Sequence, residues 1–387
     1  MIKIGNPYIG NGLDCNTVRL ICDIEDDGNL RSLYIEVDKT YEKYLCYELS
    51  DAFLIAMLPC AMRTGQDIQC ESPVTDQLLH NIKTFLIPSL SKHDDALYHA
   101  KIIAQTDDAP IEGHAVGAGF SCGIDSFHTL KSYLNSDCKS LNITHLYNTS
   151  VGAFGCYHNP QEAREKIRER VKIVAEQLGL PLIVTDSNYR VFSSKRWRHV
   201  YIHIYATMFS VFALRKLWKV YHYASSAYDL SQFSVVNNSR SDTAHYDLLS
   251  ACCFSVPGLK INMTGLNESR EEKLSIIADF ALARKYLHVC IRHGHENCNI
   301  CPKCKRTILQ IDMLGKIHEF SDAFDVDYYL LNKIKYFKLL ALNSKNDLFK
   351  YLYMHFKEKE PKLLEKAQKI VDKQRAKREQ KIELSPV

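Results

Sequence analysis

No stretch of this chain approaches the roughly 18 consecutive apolar residues that a membrane-spanning helix requires, which excludes a helical membrane protein. The opening residues, Met1-Ile2-Lys3-Ile4-Gly5-Asn6-Pro7, lack the basic start and continuous apolar core of a secretion signal, so a cytoplasmic location is expected. An excess of charge of one sign is also missing. With 49 Lys and Arg against 45 Asp and Glu over 387 residues, the net charge of +4 is too mild to argue for nucleic acid, though it suits small anions such as nucleotides. No internal repeat is present, and the first 110 residues carry no chemical motif, which leaves them a recognition or scaffolding role by elimination.

Cysteine, in contrast, is abundant. Fourteen cysteines in a chain expected in a reducing compartment are read as metal ligands where they cluster and as small apolar residues where they are scattered. Four cluster, at Cys290, Cys298, Cys301 and Cys304; the other ten lack ligand-like spacing, and the adjacent pair Cys252 and Cys253 reads as buried and structural.

Along the chain, Thr17–Ile24 and Leu33–Val37 flank an Asp26-Asp27-Gly28-Asn29 turn, a hairpin signal. An apolar segment, Ala52–Ala61, precedes an amphipathic one, Thr75–Ile87, with Leu78, Leu79, Ile82, Phe85 and Leu86 at helical spacing. These predict a small α+β domain over residues 1–110, closed by the polar, Pro- and Gly-broken stretch at 106–113. Beyond it strands alternate with helices: a strand at Ile143–Asn148, a helix at Pro160–Leu178 stopped by Gly179, and a strand at Pro181–Asp186. A buried helix is expected over His199–Val220. Strands near Val220–Ala224 and Lys260–Thr264 bracket a polar loop, Ser225–His245, that reads as a substrate lid, and a helix is expected over Lys273–Lys285. This alternation predicts an α/β domain with a parallel sheet over residues 111–325. Residues 326–387 are expected to form a helical charged extension whose surface is solvated and laced with i,i+4 ion pairs; a nucleic-acid or partner-docking arm is the other reading.

Two stretches carry chemistry. In Gly119-Phe120-Ser121-Cys122-Gly123-Ile124-Asp125-Ser126 a strand breaks into a loop of small residues and opens a helix. Uncovered backbone N–H groups and the helix N-terminus together suit phosphate oxygens, and Asp125 beside them suits a metal or metal-bound water. In Cys290-x7-Cys298-x2-Cys301-x2-Cys304, four thiolates joined partly by CxxC turns suit tetrahedral zinc in a closed, structural site. An iron–sulfur cluster uses the same ligand type, and His293 and His295 could compete as ligands.

The strand followed by Ser121-Cys122-Gly123-Ile124-Asp125-Ser126 resembles the Ser-Gly-Gly-x-Asp-Ser fingerprint of the PP-loop ATP pyrophosphatase superfamily. With the cysteine cluster downstream, residues 115–315 are similar to 7-cyano-7-deazaguanine synthases, enzymes of queuosine biosynthesis that turn a deazaguanine carboxylate into an amide and then a nitrile. The resemblance implies a Rossmann-like PP-loop (adenine nucleotide alpha hydrolase-like) domain that adenylates a carboxylate with ATP and Mg²⁺, releases pyrophosphate, and passes the acyl group to ammonia or an amine. Residues 121–126 would then hold the phosphates, Asp125 would orient Mg²⁺, and Arg198 and Arg270, the latter paired in the motif with Glu272, would neutralise phosphate or carboxylate charge. Zn²⁺ would occupy the cysteines. Larger relatives resemble proteins of bacterial antiviral defence and specialised biosynthesis, in which the N-terminal region would recruit a protein partner. Two departures stand out: Cys122 replaces a glycine, a costly change if its φ is positive, and the Ser225–His245 loop departs from the synthase text. Two further readings stay open. One is a tRNA-modifying PP-loop enzyme, with Cys122 and Cys156 as its reactive pair and the basic tail on RNA. The other is a nucleotide-binding module without turnover.

Overall fold

The computed structural model describes residues 1–152, 159–193, 199–226, 230–235 and 242–383. It is an α/β structure, about half helical, around one large and mostly parallel sheet. Two compact units divide the chain: Met1–Ser121 with Asp125–Cys156 and Ile167–Lys273, and Cys122–Ile124 with Tyr157–Lys166 and Leu274–Val387.

The first unit opens with β1 (Ile2–Ile4), β2 (Tyr8–Asn11), β3 (Thr17–Asp26) and β4 (Asn29–Asp38). In β3, Val18, Leu20, Cys22 and Ile24 are buried in alternation, which fixes its register. Asp27 (φ 50°) and Gly28 (φ 76°) both adopt positive φ between β3 and β4, as the expected two-residue hairpin turn demands. Next come α1 (Asp51–Thr64), β5 (Ile68–Cys70), β6 (Val74–Thr75), α2 (Asp76–Asn81), a π turn at Ile82–Leu86, α3 (Ile87–His93), β7 (Ile102–Ile103) and β8 (Thr106–Asp107). The parallel half is built from β9 (Ala115–Gly119), α4 (Ile124–Tyr133), β10 (His145–Ser150), α5 (Pro160–Leu178), β11 (Leu182–Ser187), α6 (Tyr189–Ser193), α7 (His203–Ala213), β12 (Trp218–Ala224), α8 (Asp247–Phe254) and β13 (Lys260–Thr264).

The sheet runs β13-β12-β9-β10-β11-β4-β3-β1-β5-β7, with β2 on β3. β9 to β13 pair in parallel; β4 pairs antiparallel with β11, so one sheet holds strands from both sides of residue 110. Each strand on its own face-pattern looks complete, and nothing local announces that the β3–β4 hairpin will extend another sheet. The chain goes from β9 outward through β10 to β11, then returns to the other flank of β9 with β12. The carboxyl end of β9 therefore lies at the point where strand order reverses, where ligands of open α/β sheets bind.

The core centres on α1 and α7, both almost wholly buried, with the Phe53 and Phe209 rings 5.4 Å apart. The helix expected over His199–Val220 stops at Ala213, and Trp218 already begins β12. An apolar run buried on every side reads alike as helix or inner strand, and only pairing with β9 and β13 separates the two. Of the expected structural pair, Cys253 is buried but Cys252 is exposed.

The second unit carries α9 (Arg270–Ile277) from Leu274 onward, α10 (Ala281–Tyr286), α11 (Pro302–Met313), α12 (Val326–Leu331), α13 (Lys333–Leu342), α14 (Asp347–Lys359) and α15 (Pro361–Glu383). The charged C-terminal helices also have an inner face. Leu352, Phe356, Leu364, Ala367 and Val371 are buried, Phe337 packs on Phe356 at 5.1 Å, and Lys333 bridges Asp312 (3.0 Å) and Glu360 (2.8 Å). The expected i,i+4 pairing is present on the outer face at Glu365–Lys369. No helix among the described residues is long and apolar enough to cross a membrane.

Candidate nucleotide site and four-cysteine centre

At the end of β9 the chain turns at Ser121, whose N–H donates to Ser126 Oγ (3.4 Å), and enters α4 at Ile124. Cys122 is fully buried with φ at 59°. A Cβ in this left-handed region costs roughly 1–2 kcal/mol, so a cysteine stands here at a position where glycine is the unstrained residue. The Cys122 carbonyl accepts the N–H of His288 (2.9 Å), which holds the strained turn in place. Gly123 is partly exposed and Ser126 is buried.

Asp125, in the first turn of α4, faces two cations. Its Oδ2 lies 4.0 Å from Arg270 Nη1, and its Oδ1 lies 3.8 Å from Lys273 Nζ. Both cations stand on one face of the first turn of α9, three residues apart. Arg270 is thus brought to Asp125 from far along the chain. Its expected partner Glu272 does something else: Glu272 Oε2 accepts the Ser269 N–H (2.7 Å) while Ser269 Oγ accepts the Glu272 N–H (3.3 Å), a reciprocal cap that starts α9 at the right residue to aim Arg270 and Lys273. Arg198 and Cys156 lie outside the described residues, as do 227–229 and 236–241 of the expected lid. Cys122 itself has no surface exposure.

Lys273 was not legible as a site residue. Its side chain is 1 % exposed, its Nζ donates to the Ser225 carbonyl at the end of β12 (2.9 Å), and burial pulls its ammonium below the usual lysine range against the opposing pull of Asp125. His128, one turn along α4, is buried beside Glu268 (4.0 Å); burial lowers it and Glu268 counters in part. Gly265 lets both come in. It has φ of +68°, and a Cβ there would lie 2.7 Å from Lys273 Cε and 3.2 Å from His128 Nδ1. Thr129 and Thr264 hydroxyls, 2.6 Å apart, tie α4 to β13 below this layer.

Several buried polar atoms at this end of the sheet have no hydrogen-bond partner among the described residues: Asp125 Oδ1, whose nearest cation is Lys273 at 3.8 Å, Arg270 Nε, Asn148 Oδ1 and Ser150 Oγ. Asn148 and Ser150 alternate along β10, so they share a face, and Asn148 Nδ2 donates to the Phe120 carbonyl just ahead of the loop (2.8 Å). Unpartnered buried groups of this kind are costly unless a ligand or water completes them. The donor set, one carboxylate oxygen with neutral oxygens beside two cations, fits a hard cation and an anion bound together.

A second buried network follows β12. His203 Nδ1 is 2.8 Å from Tyr223 Oη and its Nε2 is 3.1 Å from Asp242, while Tyr223 donates to the buried Asp247 (3.2 Å). Burial lowers His203 but Asp247 and Asp242 together outweigh it and leave the imidazole raised, and burial pushes Asp247 up to about 7.

In the second unit the four sulfurs of Cys290, Cys298, Cys301 and Cys304 all lie within 4.8 Å of one another, against about 3.8 Å between ligands of a tetrahedral Zn–S₄ centre. Backbone N–H groups point at them: Arg292 and His293 at Cys290 Sγ (3.3 and 3.4 Å), Cys301 at Cys298 Sγ (3.3 Å), and Cys304 at Cys301 Sγ (3.4 Å), the last forming the N-cap of α11. Such donors favour thiolate over thiol, and the cluster could hold a metal ion such as zinc. Asn297, a residue with no sequence signal, braces the loop. Its Oδ1 accepts from Val289 and Cys290 (2.9 and 3.1 Å), and its Nδ2 donates to Leu287 and Ala323 (2.8 and 2.9 Å). His293 and His295 stand with rings 5.6 Å apart, outside the four-sulfur group. No protein-family model matches this chain, and no curated protein or solved structure shows a significant match to it.

Proposed function

We propose that the chain is an AMP-forming, ATP-consuming enzyme of the PP-loop ATP pyrophosphatase type, which adenylates a carboxylate and transfers the acyl group to ammonia or an amine. The observation that carries this reading is Asp125 in the first turn after β9, at the reversal point of the sheet, faced by Arg270 and Lys273. In this reading the triphosphate lies on the turn of residues 121–126 and exchanges the Asp125 carboxylate for phosphate oxygens as the partner of the two cations. Asp125 Oδ1, freed of that role, is the residue to hold Mg²⁺, which supplies charge neutralisation at the phosphates. Arg270 and Lys273 remain to stabilise the charge that develops on leaving pyrophosphate. A Lys273 desolvated in this way has little hydration to lose when it meets an anion. The four-cysteine centre is closed to substrate and has a structural role in this scheme.

The test is incubation of purified protein with ATP, Mg²⁺ and small-molecule cell extract, with AMP and pyrophosphate resolved by chromatography. AMP and pyrophosphate in equal amounts are expected, reduced at least about 100-fold in Asp125→Ala, as for loss of a group that places the metal. ADP with phosphate as products, or an Asp125→Ala protein that keeps full AMP formation, overturns the assignment.

A further inference from the structure

We propose that the face of the second unit formed by Arg292, Lys305, Lys335 and Lys338, beside the four-cysteine centre, binds the phosphodiester backbone of a nucleic acid. The inference is independent of the ATP reading.

Charge is distributed unevenly along the chain. Residues 274–387 hold 22 Lys and Arg against 14 Asp and Glu, whereas residues 1–273 hold 27 against 31, so the mild net charge of the whole conceals a basic C-terminal part. Within that part four cations have a carboxylate: Arg284 has Glu319 at 2.7 Å, Lys316 has Asp279, Lys333 has Asp312 and Glu360, and Lys369 has Glu365. Arg292, Lys305, Lys335 and Lys338 make no ion pair among the described residues, and Lys305, Lys335 and Lys338 gather around one tyrosine, Tyr336.

The fold holds them together. Tyr336 of α13 donates to the Asn299 carbonyl within the Cys298–Cys301 turn (2.7 Å), which pins α13 to the cysteine loop. Lys305, directly after Cys304 on α11, lies over the Tyr336 ring at 5.6 Å. Lys335 and Lys338 flank Tyr336 three residues apart on one side of α13, and Arg292 is exposed on the loop two residues after Cys290. Lys335 also lies over the partly exposed Tyr328 ring (5.3 Å), which presents an aromatic surface at the edge of the patch. The nearby acids are Asp325, whose carboxylate caps α12 through the Tyr328 N–H (2.8 Å), and the exposed Asp327 and Glu296.

Cations drawn from three separate elements present an anionic partner with several contacts at once, beyond the single dianionic centre that zinc on four thiolates would place beside Lys305. Their spread over an open face fits a polymer better than a single phosphate, and cations with a flanking aromatic are what single-stranded nucleic acid uses.

The test is fluorescence anisotropy of the full chain with labelled 30-nucleotide RNA, the same sequence as single-stranded DNA, and as duplex DNA, at several KCl concentrations. At least one probe should bind at low salt, with affinity falling as salt rises. The double variant Lys335→Glu/Lys338→Glu should weaken it at least about 10-fold and shallow the salt slope by roughly two. The variant Lys83→Glu/Lys92→Glu makes the same change in net charge on exposed residues of the first unit and should alter binding less than about 2-fold. Metal content and circular dichroism check that both variants are folded. No binding of any probe at 50 mM salt (an experimental setting of about one-third physiological), equal losses in the two variants, or equal competition by polyglutamate would overturn the proposal.

Discussion

The Asp125 cluster and the four-cysteine centre solve the same problem, holding groups that repel or are costly to bury, by opposite means. The four thiols come from residues 290–304, set by turns within one loop and braced by Asn297. The cluster at Asp125 draws one residue from α4 and two from α9, brought together because β9 and β13 belong to one sheet and Gly265 leaves room between them. A locally built centre should depend on its ligand and little else; a site built by the whole sheet should tolerate the loss of one charge if the volume is kept.

The largest effect is expected from Cys304→Ser. A structural zinc site contributes about 10–16 kcal/mol, and that binding energy is folding energy, so losing one of four ligands should release the metal and expose the cysteine loop to protease. Elemental analysis with limited proteolysis checks this. A metal-free variant with native resistance to protease would show the loop to be self-supporting and erase the contrast.

A smaller effect follows at Lys273. Lys273→Ala and Lys273→Met both lose the charge and the donor to the Ser225 carbonyl, but only Ala also loses the buried stem, so Lys273→Ala should be less stable than Lys273→Met by about 2 kcal/mol. Urea denaturation of the two variants separates packing from charge. Equal losses would mean that the ion pair, not the stem, holds α9 to α4.

The smallest concerns the strained turn. Cys122→Gly relieves the positive φ but gives up a buried thiol, so its stability should lie within about 1 kcal/mol of the parent; Cys122→Val, β-branched at φ 59°, should cost about 2 kcal/mol. A Val variant as stable as the parent would show that the turn can adopt a negative φ.

Much of the fold was legible because its signals are local. The β3–β4 turn, α5 with its stop at Gly179, β10, β11, β13 and the cysteine loop all come from residues within a few positions of one another. The end of α7 and the start of β12 were not, because an inner strand and a buried helix have the same apolar text. Glu272 was legible as part of a pair with Arg270, but its role as a cap depends on where Ser269 lies, and Lys273 reads as one more lysine on a charged helix until its burial is known. The cations around Lys305 likewise look like ordinary surface charge in a nearly neutral chain.

By itself, then, the sequence determined the strand–turn–helix at Ser121–Ser126 and the four thiols, because backbone conformation and CxxC spacing are properties of neighbouring residues. Tertiary structure alone decided that Lys273 and Arg270 meet Asp125, that the N-terminal hairpin extends the parallel sheet, and that Cys122 adopts positive φ. Burial and the pairing of distant strands are set by the packing of the whole unit, and no window of sequence contains them.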